Sequence, residues 1–193
     1  MKSLPTLLFL AFANVLSAQT VLPYSEISQQ SEKFTAGTVA ARVIDGLGFR
    51  YHWATEGLRK EDLAYKPGPD ARTAEETLAH VYEMSFLILN ATLKKTNVPG
   101  QDKKLPFAEM RKVTLENFKN AGDNLRSATD EQMKEFNFIY FDHGKKIEYP
   151  FWNMINGPIE DCLWHIGQVV SFRRSSGNPF KEVDLFTGKI GRN

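Results

Sequence analysis

Residues 158–174, PIEDCLWHIGQVVSFRR, decide the interpretation of this chain. The apolar residues in and just before this stretch recur at the spacing of an α-helix and can share one side: Ile155, Ile159, Cys162, Ile166, Val169, Val170 and Phe172. Asp161 and His165 lie four residues apart within that apolar arc, a spacing that stacks two side chains on one helix face. The stretch therefore predicts a helix that turns a carboxylate and an imidazole toward a core.

Asp161 and His165 would destabilise an apolar core unless a partner satisfies them. A shared metal ion is one explanation, because side chains at positions i and i+4 of a helix can reach the same ion. A direct hydrogen bond, as in a buried Asp–His pair, is the other explanation. The spacing alone leaves both open.

Length and composition indicate one domain with a balanced surface charge. The chain has 193 residues, with 24 Lys and Arg against 23 Asp and Glu. A chain of this length can bury a sizeable core, and its charge gives no field that favours nucleic acid or an anionic membrane as a partner. Cys162, the one cysteine, has no cysteine to pair with inside the chain and is expected to pack as a small apolar residue.

The first residues are typical of a secretory signal peptide. Lys2 supplies the positive charge, residues 4–15 form the apolar run, and Ser17 and Ala18 are the small residues before a cleavage site. We expect a signal peptide over residues 1–18 and a single domain over 19–193, exported to the periplasm or the extracellular space. A membrane anchor is the alternative, but the apolar run is short for a bilayer span, so no membrane association is expected after cleavage.

Four amphipathic helices are predicted in the mature chain, over residues 35–58, 73–95, 106–128 and 158–176. Residues 137–149 alternate apolar and polar side chains about an Asp-His-Gly turn and predict a β-hairpin. The predicted fold class is therefore all-α: a four-helix bundle with a short β-hairpin before the last helix.

The other three histidines are expected in different environments. His80 lies at the edge of the inner face of the second helix, which is typical of a packed histidine unless it meets Asp161 and His165. His52 points away from the apolar stripe of the first helix and is expected at the surface or at a subunit contact. His143 is expected as a solvated residue of the hairpin turn, with a lid over a pocket as the alternative.

The first helix carries two aromatic residues, Phe49 and Trp53, outside its apolar stripe. They indicate a second buried face, which either the seam of a homodimer or the polar N-terminal arm, residues 21–34, would cover. A homodimer is the expected assembly.

Three sequence matches, LAHVY at 78–82, DCLWHIGQ at 161–168 and RRSSGNP at 173–179, resemble the DinB-like superfamily of bacterial four-helix metal proteins. The superfamily has one histidine on the second helix, then an H-x-x-x-H pair with Gly-Gln and an Arg-rich turn on the last. The resemblance covers most of the mature chain and implies a bundle of the up-down-down-up type. It also implies that His80 and His165 are metal ligands.

The chain departs from the superfamily at Asp161, where a histidine is usual. The implied ligand set, His80, Asp161 and His165, has two imidazoles and one carboxylate, which suits a divalent Zn, Ni, Mn or Fe ion and leaves positions open for water or substrate. Gln168 is expected to orient a ligand or a bound water from outside this set, or else to form a hydrogen bond between helices.

The resemblance implies hydrolase or thiol-transfer chemistry on a small-molecule substrate that the sequence does not specify. A divalent ion at the site would lower the pKa of a bound water or thiol and polarise a substrate oxygen. No general base stands out in the sequence, and His143 and Glu160 are the candidates for it. Two alternatives remain: a non-catalytic ligand-binding or scaffold protein with a degenerate site, in which Asp replaces His, and a structural Asp–His pair in a dimer.

Overall fold

The computed structural model describes residues 21–27, 30–98, 105–180 and 182–191. The predicted signal peptide, residues 1–18, lies outside the described residues. Among the described residues, none of the helices combines the length and the apolar composition needed to cross a membrane.

The chain is mostly helical, with small sheets at its periphery. The helices are α1 Ala36–Thr55, α2 Lys60–Ala64, α3 Ala74–Thr92, α4 Phe107–Ser127, α5 Asp130–Lys134, α6 Trp152–Met154 and α7 Glu160–Ser175. The strands are β1 Thr96–Asn97, β2 Asn137–Asp142, β3 Lys145–Pro150, β4 Val183–Asp184 and β5 Lys189–Ile190.

The four longest helices pack as neighbours around one core. Helix α4 contacts both α1 and α3, and α7 contacts the same two helices from the other side. Each helix contributes an apolar face to the core; among the fully buried side chains are Ile44, Leu47, Leu78, Ile88, Leu115, Phe118 and Leu125. This packing brings α3 and α7 side by side, and they carry the residues singled out by the sequence.

Helix α3 begins where the sequence predicts, at a capping box. The Thr73 hydroxyl accepts a hydrogen bond from the Glu76 backbone N–H at 3.1 Å, and the Glu76 carboxylate accepts one from the Thr73 N–H at 2.7 Å. These bonds satisfy backbone donors that the first turn of a helix leaves free. The prediction over residues 73–95 extends three residues too far, because α3 ends at Thr92.

Two buried arginines determine where α1 ends. Arg111, on α4, donates from Nε to the Thr55 hydroxyl at 2.8 Å and from Nη2 to the His52 carbonyl at 3.1 Å. Arg173 Nη1 lies 3.0–3.1 Å from three carbonyl oxygens of the last turn, those of Trp53, Ala54 and Glu56. Because the last carbonyls of a helix lack partners within the helix, these guanidinium groups stabilise its end. Helix α1 therefore stops at Thr55, not at residue 58 as the periodicity predicts.

The Arg-rich turn after α7 is a structural clamp. Asp62, fully buried on α2, accepts hydrogen bonds from the backbone and the side chain of Arg59 at 2.8–3.0 Å. It also accepts from the Ser176 hydroxyl and the Asn178 amide, each at 2.6 Å. These bonds hold α2, which lies within the predicted loop 59–72, against the end of α7. The hydrogen bonds of Arg59 lower the pKa of the Asp62 carboxyl far below its usual range.

The predicted hairpin is present as β2 and β3, which pair antiparallel from Asn137↔Pro150 to Asp142↔Lys145. His143 occupies the turn with φ of 45°, and its side chain is 96% exposed, as expected of a solvated turn residue. Two short pairings at the periphery were not predicted: β1 lies parallel to β2, and β4 pairs with β5.

Helix α7 is preceded by a π-helical turn, Ile155–Ile159, that continues from α6. Gly157 in this turn has φ of −100° and ψ of −109°, outside the helical region, and Pro158 follows it. A proline removes a backbone donor and disturbs the preceding turn, so the chain bends here. Pro158 therefore lies at a kink within a longer helical segment and does not begin a separate helix.

The N-terminal arm, residues 21–27, covers the second face of α1. His52 Nδ1 donates to the Pro23 carbonyl at 2.8 Å, and Trp53 Nε1 donates to the Ser25 carbonyl at 3.1 Å. A side chain at Gly48 would overlap the Tyr24 ring, so the glycine permits this close approach. His52 is only 6% exposed, so the prediction of a surface or subunit-contact residue is wrong. The arm is one of the two covers predicted for the second face of α1, but the helical spacing did not place His52 beneath it.

Candidate metal centre

Adjacent faces of α3 and α7 supply the three residues of the centre. His80 follows the buried residue Leu78 by two positions, so its side chain leaves α3 at the edge of the core. On α7, Cys162 and Ile166 are buried, and the residues just before each of them, Asp161 and His165, turn toward α3. The packing of these two helices thus brings together side chains that are 81 residues apart in sequence.

Asp161 lies between the two imidazoles. Its Oδ2 is 3.0 Å from His80 Nε2, and its Oδ1 is 3.5 Å from His165 Nε2. The two rings are nearly perpendicular, at 87°, with centroids 5.0 Å apart. One donor atom from each of the three residues lies within 4.8 Å of the others. Each carboxylate oxygen therefore faces the Nε2 atom of a different histidine.

A hydrogen bond within α7 determines the tautomer of His165. Its Nδ1 lies 2.9 Å from the amide oxygen Oε1 of Gln168, one helical turn further on. A carbonyl oxygen can only accept, so Nδ1 carries the proton and, in the neutral ring, Nε2 presents a lone pair. That lone pair faces Asp161 Oδ1, another acceptor, at 3.5 Å. A cation between these two acceptors, either a proton or a metal ion, would stabilise this arrangement.

On α3 the corresponding acceptor lies farther away. His80 Nδ1 lies 3.9 Å from Oε2 of Glu83, again three residues further along the helix. This distance is too long for a hydrogen bond, so of the two histidines His165 alone has a bonded acceptor at Nδ1, while both point Nε2 toward Asp161. Carboxylates and amide oxygens that accept from the second ring nitrogen are typical partners of metal-binding histidines. Sequence reasoning missed Glu83, although the i, i+3 spacing from His80 was the signal that could have found it.

The donor set suits a divalent transition-metal ion. Imidazole nitrogens bind Zn, Ni and Fe well, and a carboxylate adds a harder, negatively charged donor. Two donors on a tetrahedral ion at 2.0–2.2 Å are about 3.4 Å apart, close to the 3.5 Å between His165 Nε2 and Asp161 Oδ1. The shorter His80–Asp161 contact of 3.0 Å is a hydrogen bond when Nε2 of His80 carries a proton. A metal ion would take the place of that proton.

The centre is open to solvent. The side chains of His165, His80 and Asp161 are 15%, 26% and 39% exposed. Four cavities of about 210–660 Å³ among the described residues are lined by residues other than these three. The nearest along the helix is a cleft of about 600 Å³ beside α3, which reaches Ala79 and Glu83. A ligand would therefore approach the centre at a shallow surface.

The other polar candidates lie outside the centre. Cys162 is fully buried, and burial raises the pKa of its thiol, so it packs as an apolar residue as predicted. Glu160 is exposed, and His143 lies at the hairpin turn. His52 is on α1 beneath the N-terminal arm, where burial lowers its pKa. Trp164, also on α7, is 73% exposed, so it does not pack within the described part of the chain.

The fold and this site define a class of protein: it is mostly helical and carries a His/Asp/His cluster that can hold a metal ion. The family model of the DinB family matches residues 51–189, most of the chain. The protein belongs to the DinB family. No match was found among curated proteins or among solved structures.

Proposed function

We propose that the four long helices form a DinB-type four-helix bundle that holds one divalent metal ion at His80, Asp161 and His165. One observation carries the proposal: donors from two helices, far apart in sequence, converge within 4.8 Å. The hydrogen bond between His165 Nδ1 and Gln168 supports it, because such a partner fixes the ring orientation that a metal ligand needs.

The three ligands leave part of the coordination sphere open toward solvent, as a catalytic metal site requires. When bound, the ion would supply Lewis-acid activation of a water, thiol or substrate oxygen. The chain contributes orientation: Gln168 holds the His165 ring, and Glu83 lies beside the outer nitrogen of His80. We propose a hydrolase or thiol transferase acting on a small molecule.

Metal analysis of the purified protein tests this function. After incubation with Zn, Ni, Mn or Fe(II) and removal of the excess, we expect about one ion per chain by mass spectrometry. The variants His80→Ala, Asp161→Ala and His165→Ala should lose it, whereas His143→Ala, a change at an exposed turn, should retain it. A wild-type protein that takes up none of these metals would favour the metal-free Asp–His pair, consistent with the 3.0 Å contact, over the proposed centre.

The proposal includes export and self-association. Removal of residues 1–18 would place the mature chain in the periplasm or outside the cell, and N-terminal sequencing of the protein from that compartment should begin at Gln19. A homodimer should sediment at twice the chain mass. Full-length protein retained in the cytoplasm, or a monomeric mass, would remove the corresponding part of the proposal.

A further inference from the structure

A groove of about 660 Å³ runs between α1 and α7, on the side of α7 away from the candidate metal centre. Its walls are largely apolar, with Leu47 from α1 and Leu163, Ile166 and Val170 from α7. The C-terminal segment closes it through residues that include Phe180. A volume of this size falls within the range of small-molecule pockets.

The charged side chains that line this groove are all arginines: Arg42, Arg50 and Arg174, with no acidic residue among the described lining residues. Arg50 Nη1 donates to the Gly46 carbonyl at 3.0 Å, which leaves other guanidinium donors available. Arg174 stacks over the Phe180 ring at 5.9 Å. Among the described residues, neither Arg50 nor Arg174 pairs with a carboxylate. The groove therefore combines apolar walls with guanidinium groups suited to a carboxylate or a phosphate.

Two glycines keep the groove open. Gly46 of α1 and Gly167 of α7 both line it. A Cβ at Gly167 would meet no atom within 4 Å, so packing does not require a glycine there. Glycine within a helix costs roughly 0.5–1 kcal/mol relative to alanine. The space beside Gly167 is thus space that a ligand can occupy.

The positions of the charges and of the apolar residues suggest an orientation. From Arg174, at the end of α7, the apolar groove residues extend back to Leu163, eleven residues or roughly 16 Å along the helix. A ligand with one anionic end and an apolar chain can place its head at Arg50 and Arg174 and its chain along this wall, while Arg42 lies eight residues before Arg50 on α1. A two-fold contact between copies across the groove would instead bring arginines together without carboxylates, which is unfavourable.

We propose that this groove binds an amphipathic anion, a single apolar chain with a carboxylate or phosphate head, with the head at Arg50 and Arg174. The chain would lie over Gly167 against Leu163 and Val170. The ligand site is separate from the metal centre and does not depend on bound metal.

Calorimetric titration of the mature protein with monomeric dodecanoate and dodecyl phosphate tests the proposal. We expect saturable binding with one ligand per chain for at least one of the two probes, and none for dodecyltrimethylammonium, which has the same chain and the opposite charge. Arg50→Gln and Arg174→Gln should each weaken binding by about tenfold or more, the size expected for a lost charged hydrogen bond. Arg72→Gln, a change on an exposed residue outside the groove, should not.

Filling the groove provides the second arm. Gly167→Leu should abolish binding and keep the melting temperature, because the new side chain enters open space. Gly68→Leu, in a loop where an added Cβ also meets nothing, is the matched control and should bind normally. Four outcomes would each overturn the proposal. Two concern binding of the probes: the cationic probe binds as well as the anionic ones, or Gly167→Leu binds them unchanged. The other two are that the protein binds anionic vesicles but neither dispersed dodecyl probe, or that Gly167→Leu converts a protein dimer into single chains.

Discussion

Nδ1 of His165 lies 2.9 Å from Oε1 of Gln168, one turn further along α7. This bond leaves Nε2 of His165 as a lone-pair donor facing Asp161. His80 and Glu83 repeat the spacing on α3 with a longer separation of 3.9 Å. The two helices thus point the Nε2 atoms of two histidines at one carboxylate, which is the arrangement that the metal proposal explains.

Gln168→Leu removes the acceptor beside His165 Nδ1 and leaves the three proposed ligands unchanged. We expect metal affinity to fall by about 10- to 100-fold, as is typical when an outer partner of a ligating histidine is lost. Titration with a competing chelator measures it. Ser171→Ala, a change one turn further along α7, is the control and should have no effect. Wild-type affinity in Gln168→Leu would show that the bond does not orient a metal ligand.

Asp161→Asn separates a metal ligand from a structural hydrogen-bond partner. The amide oxygen can still accept from His80 Nε2, but it lacks the charge of the carboxylate. We expect metal affinity to drop at least about tenfold, while the metal-free protein loses less than about 1 kcal/mol, because Asp161 is 39% exposed. A metal affinity equal to wild type, measured by the same competition, would contradict the ligand role.

Asp62→Ala removes the acceptor that joins α2 to the end of α7. We expect a loss of about 3 kcal/mol in the free energy of unfolding, since the carboxylate is fully buried and charged donors would lose their partner. Urea denaturation measures it, with Asp70→Ala, a change on an exposed residue of the loop after α2, as control. A loss equal to that of the control would show that the clamp adds little stability.

The same residue predicts a dependence on acid pH. The hydrogen bonds of Arg59 lower the pKa of Asp62, so its contribution is present above the ordinary aspartate pKa of about 4 and is lost as pH falls toward the folded-state value. The difference in stability between wild type and Asp62→Ala should therefore shrink as the pH is lowered below about 4. A difference that is constant with pH would contradict the assignment.

His52 should make stability fall at mildly acidic pH. Burial lowers its pKa in the folded state, so the unfolded chain takes up a proton first as pH falls through about 6.5, and unfolding becomes more favourable. In His52→Gln, the melting temperature should fall less between pH 7.5 and 5.5 than in wild type. His143→Gln, a change on an exposed side chain, should retain the wild-type dependence, and an identical pH dependence in both variants would contradict this role for His52.

Local patterns predicted the elements that depend on neighbouring residues. The start of the second predicted helix at Thr73 and the hairpin turn at His143 are both present, because their bonds and backbone angles lie within a few residues. Features set by distant residues were not predictable in this way. Arg173 ends α1 through carbonyls about 120 residues away, and Pro23 covers His52 from outside the helix.

The candidate centre was likewise predictable only where its residues lie on one helix. The approach of Asp161 to His165 follows from their spacing on one helix, as does the bond from His165 to Gln168. Helical periodicity located His80 only at the edge of α3, and the resemblance to the DinB-like superfamily was needed to join it to α7. Glu83 was overlooked because its i, i+3 spacing from His80 is informative only after His80 has been assigned as a metal ligand.

Anomalous diffraction from a crystal soaked in zinc tests the central claim most directly. We expect one strong peak at about 2.0–2.2 Å from a nitrogen of His80, an oxygen of Asp161 and a nitrogen of His165. Diffraction data with no peak there and the His80–Asp161 hydrogen bond intact, or with zinc bound only at other residues, would contradict it.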